Sequence, residues 1–233
     1  MDHATEYNVA GSLLGLGPDI LLEMMSQMTI PQDVQNILVL NKKFYKLQFH
    51  PRFEKIIQSI GRLEGMKFIQ SYKDDLCTIA IDPVIKEGIV RIEIIFEKTN
   101  GHIRMCGIAD ASCSFATYKG PFSERDDKKI VRYLWDGDLY HITVDTKGNQ
   151  ECEDGQRIGI EVHMTTIPRR VTFFINDVEQ PKSVIGIPEA IRFWAYTTQK
   201  SSSFTITKFE RLNKSSAKGV SGSKAFEWGK RWK

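Results

Sequence analysis

The residues of this 233-residue chain best placed to do chemistry as a pair are carboxylates. Glu93 and Glu97 fall on one face of an alternating segment, and Glu161 lies in another. Two carboxylates across a cleft can hydrolyse a glycoside, one as acid and the other as base or nucleophile. A half-solvated sheet also needs polar side chains on its outer face, and that reading suits all three better. His163 shares a face with Glu161, but an i, i+2 pair is not a metal site, and His3, His50, His102 and His141 are scattered. Cys77, Cys106, Cys113 and Cys152 stand 29, 7 and 39 residues apart, so no C-x-x-C pair seeds a zinc site. A nucleophilic Cys113 would need a histidine partner that spacing does not reveal. No G-x-S-x-G, Walker A or H-E-x-x-H motif occurs. The reading is a non-enzymatic chain that needs no cofactor and no metal.

Two textures position these residues. Up to about residue 70 the apolar spacing is helical; from about residue 76 it is mostly period two. Pro18 suits a first helical turn. Ile20, Leu21, Leu22, Met24, Met25 and Met28 then spread beyond one core-facing stripe. Thr29 and Gln32 form a capping box, and Ile37–Leu40 are apolar all round. Three short helices are expected, with more apolar surface than so small a module can bury.

The second texture alternates. Val90, Ile92, Ile94 and Phe96 face one way, as do Ile158, Ile160, Val162 and Met164; then Val171, Phe173 and Ile175; then Ile191, Phe193 and Ala195. Further strands are expected over Leu76–Ile81, Ile103–Ala109, Ile130–Trp135, Leu139–Val144 and Phe204–Phe209. Asn100-Gly101, Asp136-Gly137-Asp138, Lys147-Gly148-Asn149, Asp154-Gly155 and Asn176-Asp177 supply turns. This pattern predicts an antiparallel β-sandwich.

Composition bounds the rest. With 41% hydrophobic and 26% charged residues the chain is globular rather than disordered or collagenous. A net charge of +3 is too small to mark a dedicated nucleic-acid binder. The last 21 residues carry six cations against Glu227, so the basic surplus belongs to the tail. Its Ser, Gly and Lys content reads as a mobile segment, with Phe226, Trp228 and Trp232 interleaved. The first residues do not read as a signal peptide, and no apolar run is long enough for a membrane helix. A cytoplasmic or nuclear location is expected.

Two resemblances follow. Pro18-Asp19-Ile20-Leu21-Leu22-Glu23-Met24-Met25, then Leu38-Val39-Leu40-Asn41-Lys42-Lys43-Phe44-Tyr45-Lys46-Leu47, resembles an F-box, with Gly17 where that family usually has Leu. Arg91-Ile92-Glu93-Ile94-Ile95-Phe96, Met105-Cys106-Gly107-Ile108-Ala109, Gly155 to Met164, Arg170 to Val178, Ile191 to Tyr196 and Phe204 to Phe209 together resemble a SPRY domain. The organisation implied is α+β: a flexible start (1–14), a three-helix F-box-like module (15–60), a linker helix (61–75), a SPRY β-sandwich (76–212) and a basic disordered tail (213–233).

The function implied is that of a substrate receptor in the ubiquitin conjugation pathway. The F-box would dock a Skp-type adaptor of a cullin–RING ligase through Pro18, Ile20, Leu21, Leu22, Met25, Leu38, Val39, Asn41, Phe44 and Tyr45. The SPRY loops would bind a target protein, with Tyr118, Phe122, Trp135, Tyr140, Arg169 and Tyr196 as anchors. The alternatives are a SPRY protein- or glycan-binding module unrelated to ubiquitination, and a β-sandwich glycoside hydrolase.

Overall fold

The computed structural model describes residues 20–22, 24, 62–70, 76–113, 121, 127–142 and 144–232. Its strands are β1 (Arg62–Glu64), β2 (Lys67–Ile69), β3 (Cys77–Ile85), β4 (Ile89–Glu97), β5 (Arg104–Asp110), β6 (Ile130–Leu134), β7 (Leu139–His141) and β8 (Val144–Thr146). They continue as β9 (Arg157–His163), β10 (Arg170–Ile175), β11 (Val178–Glu179), β12 (Lys182–Ile185), β13 (Ile191–Thr197), β14 (Ser203–Leu212) and β15 (Lys224–Glu227).

Among the described residues the strands form two sheets. A nine-stranded sheet runs β1-β2-β14-β4-β9-β10-β12-β15, with β11 beside β10. A six-stranded sheet runs β3-β13-β5-β6-β7-β8. The alternation decides which side chains fill the space between them. Ile92 and Ile94 from β4, Ile160 from β9 and Phe173 from β10 meet Ile108 from β5, Val131 and Tyr133 from β6 and Phe193 from β13 in one buried cluster. A period of two leaves the intervening residues of each strand on the outer faces.

Glycine permits one close approach. Gly159 pairs with Phe174 on one side and Glu93 on the other. A Cβ there would lie 3.1 Å from both Arg91 Nη2 and Phe174 Cβ. Its absence lets the Arg91 guanidinium lie over the Phe174 ring, 4.4 Å from the centroid.

Three expectations are corrected. The α+β division gives way to a β fold: among the described residues there is no three-helix module, and helix is confined to residues 20–22 and 24 plus a 3-10 turn at Asp127–Lys129. The expected linker helix over 61–75 is replaced, in its described part, by the β1–β2 hairpin. The chain turns there at Gly65 with φ of 61°, and Phe68 stacks on Phe204 at 5.3 Å.

The third correction concerns the tail, which is ordered. β15 lies parallel to β12 and extends the nine-stranded sheet. Lys224 N–H donates to Pro181 O at 2.8 Å, and Trp228 N–H to Ile185 O at 2.9 Å. Trp228 and Trp232 then pack on His141 of the other sheet, with ring centroids 4.9 and 5.2 Å away. The tail therefore joins both sheets.

The expected adaptor surface also changes. Ile20 is exposed, but Leu21 and Leu22 are buried within the chain at 1% and 0% exposure. Burying apolar side chains internally removes them from any docking surface. Pro18, Met25, Leu38, Val39, Asn41, Phe44 and Tyr45 lie outside the described residues.

Candidate functional site

Outward-facing side chains of β9 and β10 form the floor of a cavity of about 430 Å³ on the nine-stranded sheet. The β9–β10 connection, Met164 to Arg169, walls one side through Thr166, Ile167 and Pro168. The segment before β15 walls another through Ser215, Ala217, Lys218 and Gly219. Rigid strands under loop walls are the usual way for such a fold to build a site.

Two carboxylates hold the second wall. Glu161 is 2% exposed. It accepts from Ser215 Oγ–H at 2.6 Å and from Ser216 N–H at 3.1 and 3.2 Å. Glu179 accepts from Lys218 N–H at 2.6 Å and from Gly219 N–H at 3.0 and 3.1 Å. Buried charge survives only where donors satisfy it, and these backbone and hydroxyl donors do so. The wall's own backbone supplies them, which fixes the segment onto the sheet.

The cations at the site are not consumed in this way. Arg170 is exposed, and neither its guanidinium nor the Lys218 ammonium makes an ion pair among the described residues. His163 Nδ1 accepts from Thr166 N–H at 3.2 Å and faces Thr165 Oγ1 at 3.4 Å. That assigns the proton of a neutral ring to Nε2. Ile167 stands at the rim with 98% of its surface exposed. The site thus combines two cations, an imidazole donor and an apolar tip.

The anchors expected from sequence do not meet here. Trp135 packs partly buried against the core. Tyr140 lies beneath the Arg132 guanidinium, 4.9 Å from it. Arg169 neighbours the cavity but is paired with Glu189 at 2.8 Å. Tyr196 is fully buried on the outer face of the six-stranded sheet. Tyr118 and Phe122 lie outside the described residues. Tyr196 is therefore a packing residue, drawn into an apolar layer of the sandwich, while Trp135 and Tyr140 are half-buried away from the cavity. Sequence reasoning passed over Arg170, Lys218 and Ile167. The run Thr166-Ile167-Pro168-Arg169-Arg170 held a signal, an apolar residue and two cations between two strands.

The carboxylates considered for glycoside chemistry have structural partners. Glu93 pairs with Arg91 at 3.1 Å, Glu97 with Lys67 at 2.5 Å, and Glu161 holds the tail. The Lys67 ammonium, hydrogen bonded to Glu97, lowers that carboxyl's pKa. Such a group stays ionised, whereas a general acid needs its pKa raised. Among the described residues no three His, Cys, Asp or Glu side chains are arranged to hold a metal ion.

No family model matches the chain, and no curated protein does. Solved structures similar to it include two SPRY domains. The SPRY domain of human HERC1 is 13% identical with a TM-score of 0.47, over 62% of this chain and 89% of that one. The TRIM65 PSpry domain is 9% identical with a TM-score of 0.46, over 64% of this chain and 85% of that one.

Proposed function

We propose that this chain is a non-catalytic, SPRY-type protein-recognition module whose binding face is the outer side of the nine-stranded sheet. The observation that carries the reading is the walled cavity there, with Arg170 and Lys218, which make no ion pair among the described residues, beside an exposed Ile167. Exposed apolar groups next to unpaired cations are what a protein partner covers with profit in binding energy. The ordered SPRY-like segments support it, since each now contains most or all of a strand of the sandwich, β4, β5, β9, β10, β13 or β14. Adaptor docking gains no support from the described residues, because Leu21 and Leu22 are already buried. A cytoplasmic or nuclear location belongs to the same proposal, and the buried free thiols Cys106, Cys113 and Cys152 fit a reducing compartment.

The test is saturable retention. The immobilised full chain should retain discrete proteins from extract, and free chain should compete them away. Extract in which nothing is retained saturably would overturn the reading.

A further inference from the structure

We infer that the cavity between the β9–β10 connection and the Ser215–Gly219 wall takes an extended acidic peptide, with one of its apolar side chains resting on Ile167 and Pro168. The inference rests on the protein-recognition reading and names the partner's chemistry.

Charge accounting at the cavity decides the sign. It is lined by two carboxylates and two cations, so a formal sum would call it neutral. The carboxylates are spoken for: Glu161 and Glu179 together accept from one hydroxyl and three backbone N–H groups of the wall. Glu161 is also buried and Glu179 half-buried, whereas Arg170 and Lys218 are exposed. Among the described residues neither Arg170 nor Lys218 has an ion-pair counterpart. With Nδ1 accepting from Thr166, His163 keeps Nε2–H to donate. An incoming carboxylate therefore meets exposed donors and positive charge, whereas an incoming ammonium meets carboxylates that are less exposed than the cations and that each already accept from two donors.

The apolar part follows from Ile167, 98% exposed and next to an exposed Pro168. A purely ionic ligand would leave that tip in water. An extended peptide alternates its side chains, so an acidic residue directed into the cavity places a neighbour at the rim.

The probes are a short fluorescein-labelled peptide alternating Glu and Leu, its Lys/Leu counterpart, and an all-Glu peptide of equal length. Fluorescence anisotropy with the full chain should show Glu/Leu binding that weakens with added NaCl, and no Lys/Leu binding. Arg170→Glu should weaken Glu/Leu binding at least about tenfold, since a like charge then faces each carboxylate. Lys218→Ala and Ile167→Ser should weaken it by smaller factors. Lys98→Glu, at the opposite end of β4 from the cavity, should leave it unchanged. All four positions are exposed, so melting temperature should scarcely move.

The inference is overturned if Lys/Leu binds as well as Glu/Leu, if no probe binds, or if Arg170→Glu has no effect. Equal binding of the all-Glu peptide would remove the apolar half. Saturable protein retention with a negative probe result would leave the recognition reading standing and sink the cavity assignment. Probe binding without any retained protein would do the reverse.

Discussion

The two outer faces of the sandwich are built from different residues. On the six-stranded sheet, Met105, Ala109, Cys113, Ile130, Trp194 and Tyr196 form a second buried apolar cluster, apart from the one between the sheets. On the nine-stranded sheet the corresponding layer is Arg91, Glu93, Glu161, His163, Arg170 and Thr172, in which Arg91 pairs with Glu93 and Asp177, Glu161 accepts from Ser215 and His163 from Thr166. One face is a continuation of the core. The other is a polar layer in which most groups are satisfied and a few cations are left over. An apolar outer layer stabilises by burial and is spent on folding, whereas leftover charge on a rigid sheet is available to a partner.

Substitutions should separate the faces. The largest effect is expected on the apolar side. Trp194 is fully buried, and Trp194→Ala should cost about 3–5 kcal/mol in urea unfolding. Arg170→Ala on the polar side should change stability by less than about 0.5 kcal/mol. Equal costs would erase the distinction.

Next in size is the wall that the tail contributes. Glu161→Ala removes an acceptor from Ser215 and Ser216, and should cost about 1–3 kcal/mol. The same change should raise hydrogen exchange over Ser215–Gly219 while leaving β13 protected. Unchanged exchange in the wall would mean that Glu161 does not hold it.

A smaller, pH-dependent effect belongs to His141. Its Nδ1–H donates to Ile130 O at 2.8 Å, and its Nε2 accepts from Gly229 N–H at 2.8 Å. Both nitrogens are thus committed to the neutral ring. Burial holds its pKa below the usual value, and the Arg132 charge adds to this against the opposing Ile130 carbonyl and Asp127. The unfolded ring takes up a proton near pH 6.5, while the folded ring does so only at lower pH. The contribution is therefore complete above about pH 6.5 and declines as pH falls below it, until the folded ring protonates too. His141→Phe should flatten that part of a stability–pH curve, and an unaltered slope would assign it to other groups.

The sequence made the strands with the strictest alternation legible. β4, β9, β10 and β13 were all expected, because their apolar residues repeat every second position over a buried face, and β14 was expected although a bulge after Ile206 breaks its alternation. β12 and β15 were not. Lys182–Ile185 and Lys224–Glu227 are four residues long; β12 is held between β10 and β15, and β15 pairs with β12 alone among the described strands. The Ser-, Gly- and Lys-rich tail reads as disordered when its local composition is weighed. Its order comes from partners far away in the chain: Glu161, Glu179, Ile185 and His141. Three aromatics, Phe226, Trp228 and Trp232, were the available sign that it packs. The hairpin β1–β2 was hidden for a different reason, because three-residue strands carry too little periodicity to compete with the helical spacing before them.

The site was legible only in fragments. Loop aromatics were the natural anchors to nominate, but Trp135 and Tyr196 are taken by packing. Arg170 and Lys218 come together only because the tail folds back across β9 and β10, and no local pattern encodes that return.

Hydrogen exchange of the full chain, with and without the Glu/Leu peptide, tests the central claim most directly. The account predicts slower exchange in Thr166–Arg170 and Ser215–Gly219, and no change in β13 on the apolar-faced sheet. Slowing confined to β13 or its neighbours, with both walls of the cavity unaffected, would contradict it.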